Sequence, residues 1–231
     1  MVYDWLTIVQ GRLLPATCLL CGAPGEADLD LCPGCRAALP AIGPACRCCG
    51  AALEAQGPLC GACLRRPPPF EATLAPYRYA SPVDHLIWQL KFRGRLAPAR
   101  TLGRLLADAG RDREGPLPEC LVPVPLHRRR LGERGYNQAL ELARPVAREL
   151  GVPLAPRLAR RTHATPPQAE RSGRERRRNV RGAFTVPQPP AARHVAIVDD
   201  VVTSGATVAE LARALRRAGV ERVEVWAVAR A

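Results

Sequence analysis

Apolar positions along the chain fall into short runs and helical stripes, and they predict alternating strands and helices. Val195 to Val198 is a run of β-branched residues and alanine, as in a strand buried on both faces of a parallel sheet. Gly205 to Ala218 follows as a helix, with Leu211 and Leu215 on one face. Upstream, the pattern predicts a strand over 73–79, a helix over Val83 to Phe92, and a second helix over Ala99 to Ala109 that carries Leu102, Leu105 and Leu106 on one side. Leu121 to Val124 predicts another buried strand, and Asn137 to Leu150 another helix. Val2 to Leu14 is partly apolar but holds Asp4 and Arg12, so a short amphipathic helix is expected there rather than a leader peptide. No apolar run approaches the roughly 20 residues that span a bilayer. A cytoplasmic protein is expected.

What lies between strand and helix carries the chemistry. Residues 195–207 read Val-Ala-Ile-Val-Asp-Asp-Val-Val-Thr-Ser-Gly-Ala-Thr. Open α/β sheets bind ligands at the carboxyl ends of their strands. There Asp199 and Asp200 can accept hydrogen bonds from a vicinal diol such as that of a ribose. The backbone N–H groups of Thr203, Ser204, Gly205, Ala206 and Thr207, with three hydroxyls, suit a phosphate. A turn-forming Asp and a capping Ser or Thr would account for one acid and one hydroxyl, but not for the whole run.

The cysteines add a second module. Cys18-x2-Cys21-Gly22 is followed by Cys32-x2-Cys35, and Cys46-x2-Cys49-Gly50 by Cys60-x2-Cys63, so the second unit repeats the first at an offset of 28 residues. Two thiolate pairs complete a closed tetrahedral site, which predicts two structural zinc ions rather than a catalytic metal. Sequential and cross-braced pairing are both compatible with this spacing. Cys48 and Cys120 fall outside the register. The Pro-rich stretch Arg65 to Phe70 then predicts a stiff linker, dividing the chain into 1–66 and 67–231.

Charge sharpens the picture only locally. Lys+Arg number 34 against 21 Asp+Glu, a net charge of +13, and Lys91 is the only lysine. Guanidinium suits phosphate, although a genome rich in G and C also inflates arginine. The strand ending at Val124 runs through Pro125, Leu126, His127 and Arg128 into Arg129, Arg130 and Arg134, offering guanidiniums for a second phosphate group. Arg157 to Arg181 holds nine arginines against Glu170 and Glu175. It suits either a mobile loop closing over an anionic ligand or a solvated tether for nucleic acid.

Residues 195–207 resemble the phosphoribosyl pyrophosphate (PRPP) signature of type I phosphoribosyltransferases. Several further motifs occur in one order with it: Leu90-Lys91-Phe92-Arg93-Gly94, Val122-Pro123-Val124-Pro125-Leu126, Arg134-Gly135-Tyr136-Asn137-Gln138, and Arg161, Thr165, Gln168 with Asn179 and Gly182-Ala183-Phe184. With the double ribbon, the whole chain resembles the ComF family. The resemblance implies an α/β type I phosphoribosyltransferase fold, a parallel sheet flanked by helices, behind a small N-terminal double zinc ribbon. It implies that Asp199, Asp200 and Val201 lie at the ribose and Thr203 to Thr207 at the 5-phosphate. Val124, Pro125, Leu126, His127 and Arg128 would form the pyrophosphate loop. Arg161, Thr165, Gln168, Arg176 and Asn179 would belong to the flexible loop. It also implies Mg2+ bound with PRPP, and links to DNA uptake and natural transformation, with single-stranded DNA and proteins of the uptake machinery as partners. An active phosphoribosyltransferase of nucleotide metabolism and a non-catalytic PRPP-sensing regulator are the alternatives.

Overall fold

The computed structural model describes residues 16–26, 29–54, 57–163 and 180–231. The helix expected over Val2 to Leu14, and Thr165, Gln168, Arg176 and Asn179 of the expected loop, lie outside the described residues.

The sequence repeat is also a structural repeat. In each ribbon a Cys-x2-Cys-Gly knuckle closes on itself, with Gly22 N–H donating to the Cys18 carbonyl (2.9 Å) and Gly50 N–H to that of Cys46 (2.8 Å). Gly22 and Gly50 have φ of 76° and 68°, which a side chain would strain. Each second cysteine pair then starts a short helix, α1 (Pro33–Ala37) and α2 (Gly61–Arg65), again 28 residues apart.

The larger module is built on a parallel sheet. The strands are β1 (Ala72–Leu74), β2 (Tyr77–Arg78), β3 (Cys120–Pro123), β6 (His194–Val202) and β7 (Arg222–Arg230), while β4 (Arg160–Arg161) and β5 (Phe184–Thr185) form a separate antiparallel pair. The order across the sheet is β1-β7-β6-β3, and β2 continues the edge begun by β1. The strand expected over 73–79 is thus interrupted at Ala75 and Pro76, since proline cannot donate to the ladder. Neither β7, which lies at the heart of the sheet, nor the Arg-rich helix over Arg128–Arg134 emerged from the pattern of apolar positions.

Helices α3 (Val83–Phe92), α4 (Ala97–Asp112), α5 (Arg128–Arg134), α6 (Gln138–Leu150) and α7 (Ala206–Arg217) complete the module. The pleat sorts the core. Val195 and Ile197 of β6 and Val223, Val225 and Ala227 of β7 pack against Val208, Leu211 and Leu215 of α7. Ala196, Val198 and Trp226 face Leu106 of α4 and Ala143 and Val146 of α6. Helices α4 and α6 meet at Gly103, where a Cβ would come within 2.6 Å of the Leu142 carbonyl oxygen. A side chain there would force the helices apart.

The first ribbon shares a core with this module. Leu29, Leu31 and Leu39 are buried together with Val83, Leu86, Ile87 and Leu90 of α3 and Leu102 and Leu105 of α4. Around that contact, Asp30 accepts from Arg100 Nη2 (2.5 Å) and Nε (3.2 Å) and from Thr101 Oγ1 (3.4 Å). The expected linker ends in Phe70, which is buried in the main core, and its Pro69 carbonyl accepts from Arg216 Nε (2.9 Å). Among the described residues no helix is long and apolar enough to cross a membrane.

Candidate functional site: two thiolate cages and an acidic strand end

The eight repeated cysteines assemble into two cages, Cys18, Cys21, Cys32 and Cys35, and Cys46, Cys49, Cys60 and Cys63. Pairing is therefore sequential rather than cross-braced. Within each cage the sulfur atoms all lie within 4.8 Å of one another. The Cys21–Cys32 and Cys49–Cys60 separations are both 3.7 Å. A tetrahedron with Zn–S bonds of about 2.3 Å has edges of about 3.8 Å, whereas a disulfide needs about 2.05 Å. The residues fit zinc.

The protonation balance agrees with the geometry. Burial opposes charge on Cys18 and Cys46, yet backbone hydrogen bonds, led by those from Cys32 and Cys49 respectively, outweigh it and bring each thiol to about 6. Side-chain hydrogen bonds from Cys32, Cys21 and Cys18 push Cys35 up to about 12, and burial drives Cys63 upward as well. Four thiolates cannot ionise together without a cation, and zinc displaces the protons they would otherwise share. Cys48 is no ligand: its buried thiol donates to the Phe70 carbonyl (3.5 Å). Cys120 is buried at the start of β3.

The second site lies at the carboxyl end of β6. This strand runs beyond Val198 to Val202, so Asp199 and Asp200 stand on the ladder itself, with Asp199 opposite Ala227 of β7. The sheet, not a loop, fixes the two carboxylates. Asp200 is buried and makes an ion pair with Lys91 of α3. The Asp199 carboxylate accepts the Asp200 N–H (3.0 Å). Burial, together with the neighbouring Asp200 charge, holds the Asp199 carboxyl well above the usual range despite Lys91. Burial would push the Lys91 ammonium down, but Asp200 and Asp199 overcompensate and hold it above its ordinary value.

Beyond Val202 the chain passes through Thr203 and Ser204 to Gly205, whose φ of 70° turns it into α7. One N–H expected to face outward is engaged, since Ala206 N–H donates to the Ser204 hydroxyl oxygen (3.4 Å). Alongside, Val124 N–H donates to the Val198 carbonyl (2.9 Å), placing the end of β3 beside the acids. His127 caps α5 by accepting Arg129 N–H at Nδ1 (3.3 Å), and Arg128 opens that helix. Asn137 ties the start of α6 to this turn through Nδ2 to the Val124 carbonyl (3.0 Å).

Of the residues expected in the flexible loop, Arg161 is described, on β4. Its guanidinium pKa is lowered by burial and by the Arg130 charge, while Asp199 works the other way. The ladder of β4 and β5 brackets the rest of the basic segment. One contributor was not assigned to the site from sequence, Lys91; Arg134, expected among the guanidiniums that follow β3, lies in the field of Asp200. A single lysine in an arginine-rich chain was the available signal for Lys91.

Comparison with known proteins follows the same division. The double zinc ribbon domain matches residues 9–64 and the phosphoribosyl transferase domain residues 137–231. The DNA utilization protein YhgH of Escherichia coli O157:H7 is 39% identical over 217 residues, covering 92% of this chain and 89% of the relative. Competence protein F of Haemophilus influenzae is 38% identical over 176 residues, 73% of this chain and 77% of that one. The chain belongs to the ComF family. Ribbon and phosphoribosyltransferase-fold modules of this ComF chain lie in one polypeptide. Among solved structures, a purine phosphoribosyltransferase from Pyrococcus horikoshii overlaps 56% of the chain and 80% of its own at 16% identity and a TM-score of 0.34, too loosely to bear on the site.

Proposed function

We propose that this chain is a cytoplasmic, PRPP-binding member of the ComF family that serves DNA uptake and contacts single-stranded DNA. One observation carries the PRPP reading: two adjacent carboxylates stand in the carboxyl-terminal half of β6, which leads through Thr203 and Ser204 to the Gly205 turn into α7 and is flanked by the end of β3. That is where an open parallel sheet receives a phosphorylated ligand. The DNA reading rests on the relatives named for DNA utilization and competence, and on the net charge of +13.

In this reading Asp199 and Asp200 accept the ribose hydroxyls. The 5-phosphate accepts from the hydroxyls and N–H groups of the 203–207 turn. The Ser204 hydroxyl keeps its proton for the phosphate while its oxygen accepts Ala206 N–H. Val124 to Arg128 and the guanidiniums of Arg134 and Arg161 meet the pyrophosphate. The carboxylate donors suit a hard cation, so Asp199 and Asp200 would help hold Mg2+, which neutralises pyrophosphate charge when bound. Lys91 balances the acids before the ligand arrives.

Titration calorimetry of the zinc-loaded protein with PRPP and Mg2+ tests this. Asp199→Ala and Asp200→Ala each remove an acceptor worth ~1.5–3 kcal/mol, about 10- to 150-fold in Kd. Affinity within threefold of wild type in both variants would remove the site. Because the raised Asp199 carboxyl accepts best once ionised, affinity should climb as pH rises through its titration, and Asp199→Asn should abolish that climb. Pyrophosphate release on offering nucleobases would mark an enzyme; binding without release would mark a sensor.

A further inference from the structure

Helix α3 has a second face. Its inward residues Val83, Leu86, Ile87 and Leu90 are fully buried, while Trp88 and Phe92 are 41% and 65% exposed on the outside. Exposing two large rings is costly unless something covers them. The rings are ordered into a row: His85 and Trp88 stack at 6.1 Å with an interplanar angle of 18°, and Trp88 and Phe92 follow at 6.5 Å. Guanidiniums flank the row. Arg93 lies 4.9 Å from the Trp88 ring centroid and Arg134 lies 5.7 Å from that of Phe92. Arg93 makes no ion pair among the described residues. Asp84, the one carboxylate on α3, is turned to the N–H of His85 (2.6 Å).

We propose that the His85–Trp88–Phe92 row is a stacking platform for single-stranded DNA, with Arg93 and Arg95 meeting the phosphates. This rests on the nucleic-acid part of the reading above and assigns it a surface. Aromatic rings framed by guanidiniums bind any base through its π face and the backbone through charge. A duplex hides its base faces. A protein partner covering these rings would have to neutralise the guanidiniums beside them. The chain holds only three Trp, four Tyr and three Phe, a composition that by itself argues against stacking. The fold answers it by gathering three rings on one exposed helix face, next to the arginines of the 92–95 turn and of α5.

The test is fluorescence anisotropy with an oligo-dT probe on the full, zinc-loaded chain. Trp88→Ala and Phe92→Ala should each weaken binding about 5- to 150-fold, the range for one base–ring stack, with the salt slope unchanged. Arg93→Gln should instead flatten that slope by about 0.7. Trp88→Phe should retain affinity but abolish quenching of the Trp88 emission by the probe. Because Trp88 is exposed, Trp88→Ala should keep the wild-type melting temperature and PRPP affinity. Wild-type protein that fails to bind oligo-dT overturns both the surface and the DNA reading. Wild-type binding left intact by both ring variants overturns the surface alone. So does equal affinity for a duplex of the same length. Loss of a dimer in sedimentation with unchanged DNA affinity would assign the face to a second copy and also overturn the proposal.

Discussion

Replacing Lys91 by methionine isolates what the single lysine does. The side chains of Lys91 and Asp200 are 23% and 4% exposed, and they pair directly. At an effective dielectric of about 20, unit charges about 4 Å apart attract by ~4 kcal/mol. Removing one partner of a buried pair costs ~3–5 kcal/mol, because the other charge is left uncompensated. Methionine keeps the apolar stem, so lost packing adds little. A loss of ~3–4 kcal/mol is expected at pH 7.5, or about 6–16 °C in Tm for a chain of this length. Urea denaturation of zinc-loaded protein at pH 7.5, followed by circular dichroism, measures the loss. Adding Asp200→Asn to Lys91→Met should restore most of the stability at pH 7.5. A single variant within 1 kcal/mol of wild type at pH 7.5, or a double variant no better than the single, refutes the pairing argument.

Two further outcomes concern the frame. Glu224 is buried and is contacted by Arg113 Nη2 (3.1 Å), Arg222 Nη2 (2.8 Å), His194 Nε2 (3.0 Å) and Trp226 Nε1 (3.1 Å). Glu224→Gln strands two guanidiniums and should cost ~2–4 kcal/mol by chemical denaturation; an unchanged midpoint would show that the network is dispensable. Elemental analysis should find two zinc ions per chain, two in Cys48→Ser and one in Cys60→Ser. Full zinc content in Cys60→Ser would break the assignment of the cages.

The features legible in the sequence were those with local signatures. The ribbons were readable because ligand spacing fixes a knuckle, and α3 because its apolar stripe is uninterrupted. The acidic strand end was readable because its residue types are improbable together. Strand β7 was not, because its Arg222, Glu224 and Arg230 break the apolar run. The burial of Glu224 depends on donors from the end of α4 and the start of β6, up to 111 residues away. Helix α5 was hidden by its arginines, which read as guanidiniums on a strand-end turn, whereas His127 and Gly135 cap them into a helix. Asp199 and Asp200 were expected in a turn because the apolar run stops at Val198. The ladder partners that extend β6 through them lie on the unrecognised β7. The Lys91–Asp200 contact joins segments more than a hundred residues apart and left no local trace.

The shared core of the first ribbon and α3 makes metal supply a variable of the ligand site. Leu29, Leu31 and Leu39 hold their positions through the fold of a cage whose folding free energy comes largely from zinc, on the order of 10–16 kcal/mol for small zinc-bound peptides. The same helix face they press on ends one residue before Lys91. Zinc and a ligand of the acidic strand end are then thermodynamically linked through α3, so each should tighten the binding of the other. Zinc starvation would thus reach the acidic strand end as a graded loss of ligand affinity before any global unfolding.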